Sequence, residues 1–320
     1  MRRDLFFQGK IGKKMLICLL VATALLQVQC AGGKSTTDGS DKKILSEGRK
    51  IFKDSWLETV KGNMPLVISA PHGGTISPEE IKDRDCGAKV MDNNTAELAL
   101  EIENAFKAHG KKPYLVIARL ARSKIDFNRD LEEATCGNPQ MEYTWRQYHK
   151  HIEEALDAAI KKYGYAMYID LHGQSHKVKR LELGYLLRTP ALKELKEDEG
   201  SESEIGGNTS VRNLLKDNPQ LGLNQLLTGE NAFGTLMEQV GFPAVPSQGD
   251  PYPKEGEPYF NGGYNTRRYT AYDHPKVFGM QIEANFQGVR DSEENRKKFS
   301  DAFARSVTVY LDFVTTHWNH

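Results

Sequence analysis

Three side chains that could serve a catalytic metal ion stand directly after apolar runs of the sequence. His72 occurs in SAPHGG, His172 in YIDLHGQSH and Glu283 in QIEANFQG. A catalytic zinc ion usually takes imidazole and carboxylate ligands and keeps one position open for water. A carboxylate that does not bind the metal can take a proton from that water and pass it to the leaving nitrogen. We predict that the two histidines bind Zn2+ and that Glu283 carries the proton.

A basic segment follows another apolar run. The stretch RLARSKIDFNR ends at Arg129 and concentrates cationic side chains. Asp126 and Asn128 are turn residues of the kind that hold a guanidinium in place. Arg129 could then bind a substrate carboxylate through two parallel hydrogen bonds. A solvated basic loop is the alternative interpretation.

The elements that must position these residues alternate along the chain. Apolar, β-branched runs predict buried strands at 66–70, 113–118, 166–171, 183–188 and 277–283. Apolar periodicity and glycine stops predict helices between Thr95 and Gly110 and over 141–163, 231–240 and 292–313. This alternation predicts an α/β fold with a mostly parallel mixed sheet and helices on both faces. Ligands gather beyond the carboxyl ends of such strands, where the histidines and Glu283 fall.

Two segments interrupt the alternation. Residues 193–208 are charged and contain glycine, which predicts a mobile surface excursion. Residues 250–264 are rich in proline, glycine and tyrosine, and long loops in compact domains are often functional. We predict substrate contacts from Tyr264 and Arg267, as part of a pocket lid, and from His176. A packed aromatic turn and a loop histidine without function are the alternatives.

Composition limits the class of protein. The chain has 320 residues and a mass of 36.0 kDa, with 43 basic and 43 acidic side chains. This balance, with no long basic block, argues against a nucleic-acid partner. The length accommodates a single catalytic domain, which we place at residues 46–320, and two domains are the alternative.

The amino terminus has the pattern of an export signal. A basic stretch precedes an apolar run from Met15 to Leu26, which is shorter than the about 20 residues that span a bilayer. We predict a signal peptide at residues 1–30, a flexible linker at 31–45 and a secreted protein with no stable membrane span. The alternatives are an uncleaved anchor and a lipid anchor on Cys30.

Cysteine usage fits this location. Once Cys18 and Cys30 leave with the signal, Cys86 and Cys136 remain as a pair. An even pair in an oxidising compartment predicts a disulfide between them.

Several segments together resemble a known family. SAPHGG, DNNTAELA, SKIDFNRD, YIDLHGQSH and QIEANFQG are similar, in the same order, to the motifs of the N-formylglutamate amidohydrolase family. The resemblance extends from residue 66 to the carboxyl terminus, and its specificity lies in the order of the motifs. That family looks like a branch of the zinc carboxypeptidase and aspartoacylase group, so the resemblance implies a zinc-carboxypeptidase-like fold.

The resemblance also implies roles for single residues. His72 and His172 match the histidine ligands, and Glu283 matches the glutamate that activates water. Asn128 and Arg129 match the pair that receives the substrate carboxylate. Arg122 is close to this pair in the sequence, and we predict that either Arg122 or the metal itself polarises the scissile carbonyl.

The sequence offers several acidic residues as the third metal ligand. Carboxypeptidases have His-x-x-Glu, whereas Thr75 stands three residues after His72. Asp92 is our prediction, because it precedes a predicted helix and matches an acidic position of the amidohydrolase family. A role as a helix cap or turn residue is the alternative. The other acidic candidates are Glu79, Glu80 and Asp85.

These observations predict zinc-dependent hydrolysis of an amide bond. The substrate would be a small molecule or short peptide with a free carboxylate, such as an N-formyl or N-acyl amino acid. One alternative is a secreted metallocarboxypeptidase or peptidoglycan amidase, and another is a non-catalytic binding protein on the same fold.

Overall fold

A single mixed β-sheet runs through the protein. The computed structural model describes residues 43–44, 49–51 and 56–316. The strands in these ranges are β1 (Lys43–Ile44), β2 (Arg49–Ile51), β3 (Leu57–Val60), β4 (Leu66–Ala70), β5 (Tyr114–Ala118), β6 (Ala166–Gln174), β7 (Leu181–Gly184), β8 (Ala244–Val245) and β9 (Val277–Asn285). They lie in the order β1-β2-β3-β5-β4-β6-β9-β7-β8.

The centre of the sheet is parallel. Strands β5, β4, β6 and β9 pair in parallel, whereas β3 and β7 flank them in antiparallel pairs with β5 and β9. Every residue of β4, β5 and β9 is buried, as expected for strands that are covered on both faces. The predicted α/β fold with a mixed sheet is therefore confirmed.

Helices cover both faces of this sheet. They are α1 (Thr95–Lys107), α2 (Leu131–Thr135), α3 (Pro139–Tyr163), α4 (Thr189–Glu197), α5 (Glu202–Gly206), α6 (Arg212–Asp217), α7 (Leu223–Thr228), α8 (Phe233–Gln239), α9 (Tyr264–Tyr269) and α10 (Glu293–Thr316). Leu66 and Ile68 of β4 pack in one core cluster with α1, α8 and α10. Val67, between them, packs in a second cluster with α3. Side chains of a strand alternate between its faces, so β4 contributes to both clusters.

Helix α3 illustrates how the sequence sets helix bounds. The side chain of Asn138 accepts a hydrogen bond from the backbone nitrogen of Gln140, and Pro139 occupies the first turn. Gly164 ends the helix with a φ of 83°, a left-handed conformation that glycine adopts without strain. The predicted helix over 141–163 is therefore present, with its start two residues earlier.

One prediction about the surface agrees with the structure only in part. Most of the segment 193–208 is exposed, as predicted for a surface excursion, but the segment contains the end of α4 and all of α5. Leu195 and Ile205 are buried in the core cluster on the α1 face of the sheet. Burial of these apolar side chains outweighs the locally high charge, so the segment folds against the domain.

Other predictions differ in their bounds or lie outside the described residues. The strand predicted at 183–188 is β7, which ends at Gly184, and Leu186 beyond it has a φ of 67°. Residues 250–263 form a loop that leads into α9, as predicted. The predicted signal peptide, Cys30 and most of the predicted linker lie outside the described residues. Within those residues, no helix is both long and apolar enough to cross a membrane.

Candidate metal centre and adjoining cavity

Three neighbouring strands bring the predicted chemical groups to one edge of the sheet. His72 lies two residues after β4, His172 lies in β6, and Glu283 lies in β9 directly opposite His172. The chain turns sharply after His72, since a Cβ on Gly73 would stand 2.5 Å from the backbone nitrogen of Ala96. Glycine is thus required where the turn meets the start of α1.

Asp92 completes a buried group with the two histidines. Its Oδ2 lies 3.0 Å from Nδ1 of His172 and 3.4 Å from Nδ1 of His72. The ring centroids of the histidines are 4.7 Å apart, and one potential ligand atom from each of the three residues lies within 4.8 Å of the others. The structure places the other candidate acids, Glu79, Glu80 and Asp85, in exposed positions outside this group.

The start of α1 fixes Asp92. Its backbone nitrogen donates to the carbonyl of His72 over 3.1 Å, and its own carbonyl accepts from the hydroxyl of Thr95 over 2.8 Å. Its Oδ2 also accepts from the backbone nitrogen of Gly173. Asp92 is therefore tied to both histidine-bearing segments.

A second carboxylate stands behind each histidine. Nε2 of His72 lies 2.7 Å from Oδ1 of Asp126, and Nε2 of His172 lies 2.9 Å from Oδ2 of Asp170. A carboxylate that accepts from Nε2–H fixes the tautomer and leaves the Nδ1 lone pair for a metal. Our sequence reasoning missed both orienting roles. Asp170 precedes His172 by two positions on a strand, so a shared strand face was the available signal.

The donor set fits a metal ion. Nδ1 of His72 is buried and has no hydrogen-bond partner among the described residues. A buried polar atom without a hydrogen-bond partner destabilises the fold unless a bound ion or water interacts with it. Two imidazole nitrogens and one carboxylate oxygen, with the far nitrogen of each ring already paired, form a set of ligands that could hold a metal ion.

Electrostatics support the same grouping. Burial alone would raise the pKa of Asp92, but the hydrogen bond from His172 and the electrostatic effect of His72 hold it well below its usual range. Burial alone would lower the pKa of His172, but Asp170 and Asp92 raise it well above the ordinary value. A metal ion must displace the proton that His172 holds, so metal binding is expected to be pH-dependent.

Glu283 differs from the other acids of the site. Burial raises the pKa of Glu283 to about 8, with a further rise from Asp92 and Glu182 and an opposing effect of His172. Its Oε1 accepts a hydrogen bond from Nε2 of Gln281 over 2.9 Å. A carboxyl group that exchanges its proton near neutral pH is suited to general acid–base chemistry.

A cavity of about 430 Å³ adjoins the buried group. Asp92 contributes to its wall, together with two of the predicted site residues, Arg122 and His176. The rings of Phe260 and Phe286 complete an apolar part of the wall. The cavity therefore combines a candidate metal ligand with cationic and aromatic groups.

Arg122 is held in place by Asp126. Its Nε and Nη2 donate to Oδ2 of Asp126 over 3.0 and 2.9 Å, while Nη1 donates to the carbonyl of Val90 over 3.2 Å. Asp126 was predicted to hold a guanidinium, and it does so with one oxygen while the other orients His72.

Asn128 and Arg129 lie outside the wall of this cavity. Nδ2 of Asn128 is 3.1 Å from Nε2 of His172, and its Oδ1 accepts from the backbone nitrogen of Asn265. Nε of Arg129 donates to Glu133 over 2.8 Å, and its Nη1 donates to the carbonyl of Asn128. Their predicted contacts with a substrate carboxylate stay predictions.

The other predicted substrate residues lie at the start of α9. The hydroxyl of Tyr264 accepts from Nη1 of Arg268, and its ring lies 5.8 Å from that of His149. Arg267 is exposed. Neither Tyr264 nor Arg267 lines the cavity beside Asp92, and their substrate contacts stay predictions too.

Cys86 and Cys136 form a disulfide in the structure, with their Cα atoms 6.0 Å apart. Arg84 packs beside it and donates to the carbonyls of Cys86 and Glu133. The bond joins the segment that leads to Asp92 with the segment that follows Arg129.

Comparison with solved structures identifies the fold. The structure of N-formylglutamate amidohydrolase from Ralstonia eutropha JMP134 matches with a TM-score of 0.50 and 14% sequence identity, covering 82% of this chain and 98% of that chain. A gene product from Agrobacterium tumefaciens matches with a TM-score of 0.49 and 12% identity, covering 81% and 96%. No protein-family model and no curated protein matches the sequence. The chain thus has a zinc-carboxypeptidase-like fold, which it shares with N-formylglutamate amidohydrolase.

Proposed function

We propose that this protein is a zinc-dependent amidohydrolase that releases an amino acid from an N-acyl or N-formyl amino acid. The observation that carries the proposal is the buried convergence of His72, Asp92 and His172, with Nδ1 of His72 left without a partner among the described residues. An adjoining cavity and a carboxyl group with a raised pKa supply the other parts that amide hydrolysis needs.

The metal would be held by Nδ1 of both histidines and by the carboxylate of Asp92. Bound there, zinc would supply a Lewis acid that activates water and polarises the amide carbonyl. Asp126 and Asp170 keep the imidazole rings oriented, so that the ligand atoms are arranged before an ion arrives.

Glu283 is the proton carrier in this proposal. The oxygen of water bonds to the carbonyl carbon, Glu283 takes a proton from that water, and the same proton goes to the nitrogen as the carbon–nitrogen bond breaks. The products are a carboxylic acid and a free amino group. Its place opposite His172 and its raised pKa support this role.

We assign contact with the substrate carboxylate to Arg122, in place of the carbonyl-polarising role predicted for it from the sequence, which zinc takes in this proposal. Its guanidinium reaches the cavity wall and is fixed by Asp126, whereas Arg129 is bonded to Glu133. A pre-organised guanidinium loses little freedom when it binds a carboxylate. The role that the sequence predicts for Arg129 is a separate hypothesis, which a variant can test.

The decisive experiment measures bound metal and hydrolysis together. The purified chain is loaded with zinc and assayed for amino-acid release from N-formyl and N-acyl amino acids and from short peptides, with and without a chelator. We expect chelator-sensitive release from the N-acyl amino acids and its loss in His172→Ala. Turnover that resists the chelator would contradict the proposal, and preference for peptides would favour a carboxypeptidase. Zinc binding without turnover of any compound would favour a binding protein.

We propose further that the protein acts outside the cytoplasm. The signal-like amino terminus and the paired Cys86 and Cys136 support this location, because disulfides persist in oxidising compartments. The mass of the mature amino terminus would distinguish cleavage near residue 30 from a lipid anchor on Cys30. An uncleaved terminus in the cytoplasmic fraction would contradict export.

A further inference from the structure

A short segment of the 250–264 loop is fastened to strand β7 and to the residues after it. The hydroxyl of Tyr259 donates to the carbonyl of Leu183 over 2.6 Å. The backbone nitrogen of Phe260 donates to Glu182 over 2.8 Å, and the carbonyl of Asn261 accepts from the backbone nitrogen of Leu186 over 2.7 Å. Phe260, which lines the cavity, is therefore carried by a fixed part of the loop.

Phe260 is unusual within this wall, because it is a phenyl ring that is 46% exposed although its backbone is firmly held. Its ring stacks on the imidazole of His176, with centroids 5.1 Å apart and an angle of 20° between the planes. Both rings line the cavity beside Asp92. A large exposed apolar group at a concave site points to a ligand that covers it.

Glu182 holds both rings. It is buried, and its Oε1 lies 2.7 Å from Nδ1 of His176 while its Oε2 accepts from the backbone nitrogen of Phe260. Burying a carboxylate costs free energy unless its oxygens are paired. Here one oxygen holds the ring of His176 and the other holds the backbone of Phe260, so the stack is a pre-organised flat surface.

The charges of the cavity wall limit the kind of ligand. Arg290 is buried, and its guanidinium donates to the carbonyls of Ala284, Gln174 and Asn93. Arg122 is the other arginine of this wall within the described residues. Arg122 is the more accessible of the two, because it is only partly buried whereas Arg290 is 1% exposed. One accessible guanidinium matches a ligand with a single carboxylate, since a second carboxylate would lose water without gaining a cation.

On the basis of the proposed amidohydrolase function, we infer that the substrate is an N-acyl amino acid with an aromatic side chain. The side chain packs on the Phe260–His176 stack, and its one carboxylate binds Arg122. Offset stacking between aromatic rings stabilises binding beyond the burial of their apolar area. A glutamate side chain cannot stack in this way.

The test compares N-formyl-phenylalanine, N-formyl-glutamate and N-formyl-alanine as substrates of the zinc-loaded protein. We expect the lowest KM for the phenylalanine compound. Phe260→Ala should raise that KM about tenfold and change the KM for N-formyl-alanine less than twofold. The control Tyr143→Ala, which removes an aromatic ring that is 66% exposed on α3, should change neither.

Calorimetry on the metal-free protein keeps the substrate inference separate from the proposed activity. N-formyl-phenylalanine should bind more tightly than N-formyl-glutamate, and Phe260→Ala should weaken that binding about tenfold. A preference for N-formyl-glutamate, or equal effects of Phe260→Ala on all compounds, would overturn the aromatic site even if hydrolysis is found. Absence of hydrolysis with intact aromatic selectivity in binding would overturn the proposed function alone.

Discussion

Glu182 and Glu283 are direct partners across the antiparallel strands β7 and β9, and both side chains are buried. They have different environments. Glu182 is bonded to His176 and to the backbone of Phe260, whereas Glu283 is bonded to Gln281 and lies opposite His172. The proximity of Glu182 contributes to the raised pKa of Glu283, after the larger effect of burial. Two acids in one stretch of sheet are thus suited to different tasks, one to positioning rings and one to carrying a proton.

Replacing Glu283 tests the proton carrier. We expect Glu283→Gln to retain zinc and to lower kcat by about 10²- to 10⁴-fold, the usual contribution of a general acid or base. Zinc content by atomic absorption and kcat are measured on the same sample. Loss of zinc in parallel with activity would instead make Glu283 a ligand.

Replacing Asp126 tests the orientation of His72. The change Asp126→Asn removes the charge that faces Nε2 of His72, and we expect zinc affinity to fall about 10- to 100-fold. Competition with a chelator of known affinity measures the change. Asp83→Asn is a matched control, because Asp83 pairs with Lys124 away from the histidines. Equal zinc affinities of the two variants would refute the orienting role.

Two arginine variants separate the competing carboxylate contacts. Because Arg122 lines the cavity and Arg129 is bonded to Glu133, we expect Arg122→Gln to raise KM by at least about tenfold. Arg129→Gln should change KM by less than about threefold. The reverse order would restore the assignment that the sequence favoured.

His149 should weaken the fold in acid. It is buried beside Tyr269, and burial lowers the pKa of His149 to about 3. The unfolded chain takes up this proton near pH 6.5 and the folded chain only near pH 3, so stability falls as pH decreases between these values.

The variant His149→Gln should not show this loss of stability at low pH. Relative to its own value at pH 7, we expect the variant to retain about 2 kcal/mol more unfolding free energy than the unchanged protein at pH 5. Urea unfolding at both pH values measures the difference. Parallel pH dependence of the two proteins would show that His149 is protonated in the fold.

The sequence predicted the fold best where the periodicity of apolar residues agrees with the residues that start and stop helices and strands. The apolar strands β4, β5, β6 and β9, and helix α3 with its proline start and glycine stop, follow from local patterns. The convergence of His72 and His172 follows from topology, because carboxyl ends of adjacent parallel strands meet at one edge. Long-range packing explains what was missed. The burial of Leu195 and Ile205 depends on contacts that no local charge pattern encodes.

The hydrogen-bond and ion-pair partners of the side chains were the part of the site that the sequence predicted least well. Arg122 and Arg129 are both arginines of one basic segment, and their bonds to Asp126 and Glu133 distinguish them only in three dimensions. Glu182 and Phe260 belong to no sequence motif. Their importance comes from a hydrogen bond between β7 and a loop that is distant in the sequence.

Asp126 touches a candidate ligand with one oxygen and the arginine of the cavity with the other. Any ligand that shifts the guanidinium of Arg122 therefore also changes the hydrogen bond that orients the imidazole of His72. By thermodynamic reciprocity, occupancy of the cavity and retention of the ion should be linked. A compound that fills the cavity should then change the affinity of the site for a metal ion, and the ion should change the affinity for the compound by the same factor.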